Sequence, residues 1–273
     1  TEENCSQSGR RYKTVFHEVY LSVPLFPTIE NRNLSLQVRG TMRDLGGELL
    51  LPATGGRFPE PLFDLGIGTT YRARMGEGRE AGFAVALVGP SDSPFDSEND
   101  LSYRADLFYR RQRSAGGAMV YYVHFRSDRE YLRGIPLPGV GYLHRPSEFT
   151  TILFGAPYMY LEKRLTPSWT FKAEYEFPRE VAAEMSHQVF PTVGVYVDYA
   201  WTGENYFRLN SPRLDDRMTY REMRGGGGFR LAVGEDVSMK IGGGFAFQRF
   251  WYEGEDYDDR DRYRIDIDDG AYV

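Results

Sequence analysis

Cysteine is nearly missing from this chain: Cys5 stands alone among 273 residues. That excludes an intramolecular disulfide and a thiolate zinc site. The four residues before it, Thr1 to Asn4, do not resemble a lipidation signal. Long apolar runs are missing too. The longest, Ala81–Gly89, falls far short of the roughly 20 residues a membrane helix requires, and the mean hydropathy of -0.50 is that of a water-soluble chain. No basic excess exists. A net charge of -6, without a basic patch among aromatics, argues against a nucleic-acid partner. The chain begins without an initiator Met or an apolar leader, as expected of a secreted protein whose signal peptide has been removed.

Aromatic residues (15%) and glycine (30 residues) are what the chain has in quantity. Tyr (20) outnumbers Phe (18), which suits rings held at a membrane–water boundary with a hydroxyl to satisfy. Their placement says more. In residues 168–177, Trp169, Phe171, Ala173, Tyr175 and Phe177 alternate with Thr170, Lys172, Glu174 and Glu176. Side chains alternate faces along a strand, so this writes one apolar face and one charged face. A soluble sandwich also alternates. Large aromatics on one face and charges of both signs on the other instead suit a β-barrel with lipid outside and a polar lumen inside.

The same alternation is read at 12–23, 34–43, 62–74, 79–89, 101–111, 119–126, 192–200, 218–232 and 237–248. Residues 138–163 hold apolar and aromatic runs broken by Pro146 and by Gly155-Ala156-Pro157, and 149–163 stays undecided between one kinked strand and two short ones, because Pro removes a ladder donor. Tight turns are expected at 75–79, 114–117, 165–168 and 233–236, and long polar loops at 90–100, 128–137, 178–190 and 251–269. Short turns at one end and long loops at the other are the habit of outer-membrane barrels. No linker or repeat longer than a strand is visible. The expected organisation is an N-terminal tail over 1–11 and a single domain over 12–273. Its fold is an all-β, transmembrane, antiparallel up-and-down barrel of about 12 strands, range 10–14. Ala271-Tyr272-Val273 reads as the start of a strand, so the last strand is expected to be incomplete or closure to use the N-terminal segment.

More specific patterns lie along the chain. They are Leu51-Pro52 through Pro61-Leu62-Phe63-Asp64-Leu65-Gly66, and Gly89-Pro90-Ser91-Asp92-Ser93-Pro94-Phe95-Asp96. Next come Pro138-Gly139-Val140-Gly141-Tyr142, Arg145-Pro146-Ser147 and Phe154-Gly155-Ala156-Pro157. Near the end stand Gly244 to Phe250, Tyr252-Glu253-Gly254-Glu255 and Arg264-Ile265-Asp266-Ile267-Asp268-Asp269. In their order and spacing, over roughly residues 50–273, these resemble a family of uncharacterised bacterial outer-membrane β-barrel proteins, a domain of unknown function. The resemblance implies fold and location. It carries no substrate, catalytic residue or cofactor.

Candidate chemistry is sparse. His17, His124, His144 and His187 lack a nucleophile motif around any serine, although His124 shares a polar face with Arg126 and Ser102 lies on the preceding strand. The acidic stretch Glu253–Asp269 has oxygens for a hard cation, but Arg260, Arg262 and Arg264 interleave and the EF-hand spacing is missing. The reading is of solvated, mutually paired charges. Gly225–Gly228 and Gly242–Gly244 precede no helix start, so they are taken as coiled strand or as places where a bulky neighbour crosses closely. Phe95 is a candidate plug. No catalytic residue, metal or cofactor is assigned.

The residues expected to line the lumen are Arg39, Arg43, Arg72, Arg74, Arg104, Asp106, Arg110, Arg126, Lys172, Glu174, Glu176, Asp198, Glu222, Arg224, Arg230 and Lys240. Two outcomes follow. The charges border water in a porin-like small-solute channel, where the Arg excess of the first half favours anions. Alternatively they pair across the interior and leave a plugged scaffold barrel that binds partner proteins. The expected partners are outer-membrane lipid, with other envelope proteins or further copies of the chain, and no nucleic acid. Enzymatic activity is not expected.

Overall fold

β-branched and aromatic side chains at every second position fit a pleated surface, and here that preference holds along almost the whole chain. The computed structural model describes residues 2–4, 11–25, 31–47, 49–53, 55–129, 132–177, 180–208, 217–232, 238–255, 257–261 and 263–272. The strands are β1 (Glu2–Asn4), β2 (Arg11–Pro24), β3 (Arg32–Gly47), β4 (Leu62–Arg74), β5 (Arg79–Ser91) and β6 (Ser102–Ser114). They continue with β7 (Gly117–Arg126), β8 (Leu137–Ser147), β9 (Thr150–Ala156), β10 (Tyr158–Arg164), β11 (Trp169–Glu176) and β12 (Glu180–Phe190). The set ends with β13 (Val193–Tyr206), β14 (Arg217–Ala232), β15 (Ser238–Gly254), β16 (Arg264–Ile267) and β17 (Gly270–Tyr272). Short 3-10 turns at Glu98–Asp100 and Tyr257–Asp261 are the only helical pieces among the described residues.

From β1 to β15 each strand pairs antiparallel with the next in sequence. β16 and β17 both pair with β15, as one interrupted strand. The result is an up-and-down sheet of 17 strands, or 16 with that last pair taken together. This exceeds the expected 10–14 for local reasons. Residues 138–163 hold three strands, with a boundary at Pro157 between β9 and β10. Residues 178–190, read from the sequence as a loop, are mostly β12, whose Val181, Ala183 and Met185 alternate with Ala182, Glu184 and Ser186. Small alanines blur that alternation. The stretch 251–269 likewise contains the end of β15 and all of β16. Within the tail, Glu2–Asn4 pairs with β2. β17 pairs only with Gly244, Phe245 and Ala246 on β15. Cys5, the turn at 233–236, Asp256 and Arg262 lie outside the described residues.

Connections sort by end. The C-terminal ends of β3, β5, β7, β13 and β15 share one end, hereafter the loop end, while the turns at 75–78, 115–116, 148–149, 165–168 and 191–192 share the other. At the loop end β9 passes to β10 through Pro157 alone, and β9, β10 and β11 have only 7, 7 and 8 residues. The rim is therefore low between β8 and β12.

One face of the sheet carries exposed apolar side chains around the whole run of strands: Val19 and Leu21 on β2, Ile67 on β4, Leu107 on β6, Phe154 on β9, Val197 on β13, Phe229 on β14 and Ile241 on β15. Phe154 and Val19 are 69% and 68% exposed. The other face turns inward and the sheet curls over it, so that Arg43 of β3 meets Glu204 of β13. A parallel bridge from Ser91 to Phe207, with the Phe207 N–H donating 2.6 Å to the Pro90 carbonyl, ties β5 to the end of β13.

A bulge explains how β13–β15 reach inward at the loop end. The pairing of β14 with β15 steps from Met223–Phe247 to Arg221–Phe250, which sets Glu222 against both Gln248 and Arg249. Gln248 takes a positive φ of 50° there. An extra residue bends its strand and reverses the facing of everything beyond it. Trp251 thus joins Tyr220 on the interior side, their rings 4.8 Å apart. Beyond the bulge, Arg217–Glu222 is buried residue by residue, on both faces.

Candidate functional site

The interior has a cap at the loop end, a charged cavity below it and an apolar chamber to one side. The cap is a hydrophobic cluster of Leu45, Leu49, Leu51, Phe58 and Leu62 from the β3–β4 region against Tyr206, Met218, Tyr220, Trp251, Ile265 and Ile267. Phe58 meets Trp251 edge-on at 5.4 Å. On its lower side, Arg43 donates to Glu204 through Nε at 3.0 Å and Nη2 at 2.8 Å, a bidentate pair. The Arg43 guanidinium lies 4.3 Å from the Tyr220 ring, and the Tyr206 hydroxyl donates to Glu204 at 2.5 Å. Opposite, the Asn205 side-chain amide donates to the Asp128 carbonyl, and within the inward end itself the Arg249 guanidinium donates to the Tyr220 hydroxyl at 3.0 Å. The inward end of β13–β15 is fixed to both walls.

Beneath lies a cavity of about 430 Å³. Arg39, Arg104, Arg126, Arg129 and Arg224 line it, together with Glu18, Asp64, Asp106, Asp128, Glu176, Glu180 and Glu204. The signs interlock. Arg104 reaches Asp128 at 2.6 Å and Asp64 at 3.5 Å, while Arg126 lies 3.3 Å from Asp128 and 4.0 Å from Glu180. His124 stands between two carboxylates, with Nδ1 on Asp106 and Nε2 3.2 Å from Glu176. Asp128 belongs to the β7–β8 connection, and its carboxylate is 2% exposed. Burial alone would raise its pKa, but Arg126 and Arg104 hold it well below the ordinary carboxylate range. Arg129, beside it, is shifted the other way: burial and the like charge of Arg126 lower its pKa.

The expected lumen residues separate into groups. Arg39, Arg104, Asp106, Arg126, Glu176 and Arg224 meet in the cavity. Arg43 and Glu222 belong to the cap, Glu222 accepting from the Tyr220 hydroxyl at 2.9 Å and lying 3.8 Å from Arg224. Lower down, Arg72 and Arg110 converge on Glu80 at 3.1 and 3.3 Å. Arg230 and Lys240 converge on Glu184 at 2.9 and 2.5 Å. Lys172 lies 3.9 Å from Glu162, and Glu174 pairs in register with Tyr160. Asp198 lies beside Gly226, and Arg74 is exposed at the short-turn end. Of the arginines expected in the lumen from the first half, Arg39, Arg43, Arg72, Arg104, Arg110 and Arg126 each face a carboxylate.

Several interior residues escaped the sequence reading. Glu80 sits in alternation with apolar neighbours, and Glu184 sits on β12, where Ala182 and Ala183 blur it. Glu204 lies past Ala200, where alternation fades because the capping end of β13 is covered on both faces. Asp128 and Glu180 sit at strand ends, where no periodicity speaks. The glycine reading is met. A Cβ on Gly242 would come 2.5 Å from the Tyr196 hydroxyl, and one on Gly226 2.4 Å from the Tyr272 hydroxyl. Phe95 lies against Gly89 and is 47% exposed, so the plug is built by other residues. The interleaved arginines of the acidic stretch pair locally, Arg264 with Asp266 and Arg260 with Asp261. Among the described residues no group of His, Cys, Asp and Glu is arranged to hold a metal ion.

The apolar chamber, of about 280 Å³, is lined by Phe108, Val120, Tyr122, Leu153, Pro157 and Tyr158, and it shares Asp106, His124 and Glu176 with the charged cavity. Comparison of the chain with protein-family models, with curated proteins and with solved structures finds no match.

Proposed function

We propose that this chain is an integral β-barrel of a bacterial outer membrane whose interior is capped, so that it serves as a structural or ligand-holding barrel and not as an open porin. The wall is apolar outside and charged inside, and the cap crosses that charged interior. In water the exposed belt would be a large aggregation liability; in a bilayer it is the expected surface of a β-barrel, flanked by Tyr and Trp. Neighbouring lipid is then its first partner, and the loop end is the surface open to envelope proteins or to a second copy. The resemblance of its motifs to uncharacterised outer-membrane barrels supports the same location.

The experiment is conductance in planar bilayers together with gel migration before and after boiling in SDS. A compact form that shifts on boiling, with no steady current, supports the reading. A steady ohmic current from the unmodified chain overturns the capped state, and extraction without detergent overturns the membrane assignment. A gated small-solute channel is the second reading, favoured by the charged wall that continues below the cap through Glu80, Arg110, Glu184 and Lys240. In that case a variant lacking the Arg43–Glu204 contact conducts.

A further inference from the structure

The charged cavity and the apolar chamber are two halves of one space, and their junction has chemistry that neither a plug nor a water-filled vestibule requires. A barrel interior that holds only water gains nothing from six apolar linings grouped at one place. Phe108, Val120, Tyr122, Leu153, Pro157 and Tyr158 make such a group. Its wall is preformed: the Tyr122 ring lies flat across Gly139, where any Cβ would come within 2.1 Å of it, and the Tyr122 hydroxyl accepts from the Tyr158 N–H at 3.2 Å. Largely preformed apolar pockets ending in a few convergent polar groups are the usual form of small-molecule sites.

The polar end is specific. Arg129 lines the charged cavity and is 7% exposed. Its guanidinium donates to the Ile135 carbonyl at 3.3 Å and the His124 carbonyl at 3.4 Å, and no carboxylate forms an ion pair with it among the described residues. Its neighbours Arg104 and Arg126 each reach a carboxylate, Arg104 on Asp128 and Asp64 and Arg126 on Asp128 and Glu180. A buried guanidinium whose hydrogen bonds go to carbonyl oxygens, with Glu176, Asp128 and Asp106 near it but none in ion-pair contact, keeps donor capacity for an anion. Its bond to the His124 carbonyl sets it beside the opposite charge. Asp106 and Glu176 flank the His124 ring, and their side chains remain 52% and 31% exposed, so oxygens of both still face the cavity. An anion acceptor, a pair of acids and an apolar chamber therefore adjoin.

We propose that this space binds a single-chain amphiphile with a zwitterionic phosphate–ammonium head: the phosphate on Arg129, the ammonium on Asp106 and Glu176, and the chain among Phe108, Leu153 and Tyr158. The low rim at Pro157, between two strands of 7 residues, gives such a molecule a route from the surrounding lipid. The route rests on the membrane reading; the site itself does not.

The test is native mass spectrometry of the full chain in a neutral maltoside detergent, titrated with lysophosphatidylethanolamine. A single saturable adduct is expected. Arg129→Gln should weaken it about tenfold, the loss of one charge-assisted contact, and Leu153→Trp should abolish it by filling the chamber. Lysophosphatidylglycerol, which lacks the ammonium, and glycerophosphoethanolamine, which lacks the chain, should each bind at least tenfold more weakly to the unmodified chain. Those two arms decide the matter even if a variant fails to fold. Multiple adducts unaffected by either variant mean annular lipid and overturn the proposal. Equal binding of lysophosphatidylglycerol overturns the zwitterion assignment, and equal binding of the chainless head overturns the chamber's role. Because the readout is binding in detergent, it stands or falls separately from any bilayer conductance.

Discussion

Arg43 shows how much one side chain can fix in this interior. Its guanidinium is 4% exposed, forks onto Glu204 and stacks on Tyr220, so three strands depend on one buried charge. Removing one partner of a buried pair leaves the other uncompensated, which costs far more than the pair itself contributes. Glu204 retains 28% exposure, which places the expected loss at the low end of that range. Arg43→Ala should destabilise the folded chain by about 3 kcal/mol, measured by urea unfolding in detergent micelles. The double variant Arg43→Met/Glu204→Leu should recover much of it; an equal or larger loss would mean the pair is not isolated. Asp128 gives the pH dependence. Its folded pKa lies below its unfolded value near 3.9. The stabilisation is therefore complete above about pH 5 and is lost as pH falls through the folded value. Stability should be flat from neutrality to about pH 5 and drop in stronger acid. Asp128→Asn should make that acid limb shallower and lower the neutral plateau, as followed by urea midpoints across pH.

At the scale of elements the bulge at Gln248 decides where β15 goes. Without it, β14 and β15 would continue up the wall, and Trp251 would face away from Tyr220 and the interior. A left-handed backbone at a non-glycine residue costs roughly 1 kcal/mol, and Gln248 bears it at φ 50°. Gln248→Gly should therefore stabilise by up to about 1 kcal/mol without changing the cap. Deleting Gln248 should instead restore plain pairing and turn Trp251 outward, seen as a red shift in tryptophan emission and loss of protection of the Phe58 region in hydrogen exchange. The bulge also explains why alternation in the sequence stops at Gln248. The pattern does not fade into a loop; it reverses face, and a period-two reading registers that as an end.

For the whole molecule the deciding balance lies between wall and cap. The wall is joined strand to strand by backbone ladders, so each segment is secured locally by its neighbour. The cap is joined by side chains from β3, β13, β14, β15 and the segment at 49–58, and these are distant in sequence. Local openings follow the less cross-linked part. On mild heating the cap should exchange its amides before the wall does, and Arg43→Ala should show that order at lower temperature. If the unmodified chain is silent in planar bilayers, Arg43→Ala in the same bilayers distinguishes a rigid plug from a gate: continued silence means a plug, intermittent current a gate.

Alternation of apolar and polar residues, with tight turns between the runs, by itself determined that this chain is nearly all strand and that successive strands pair antiparallel. The period of two is a local property of the backbone and needs no knowledge of partners. It also gave the interior sites of Arg39, Arg104, Asp106, Arg126, Glu176 and Arg224. It failed on β12, where alanines weaken the contrast, and beyond Ala200 and Gln248, where both faces are covered or the facing reverses. Only the tertiary structure decided that the interior charges pair, that β13–β15 fold across the mouth, and that an apolar chamber adjoins Arg129. Each of these depends on which strands meet across the interior. That is set by how far the sheet curls, and no local period records it.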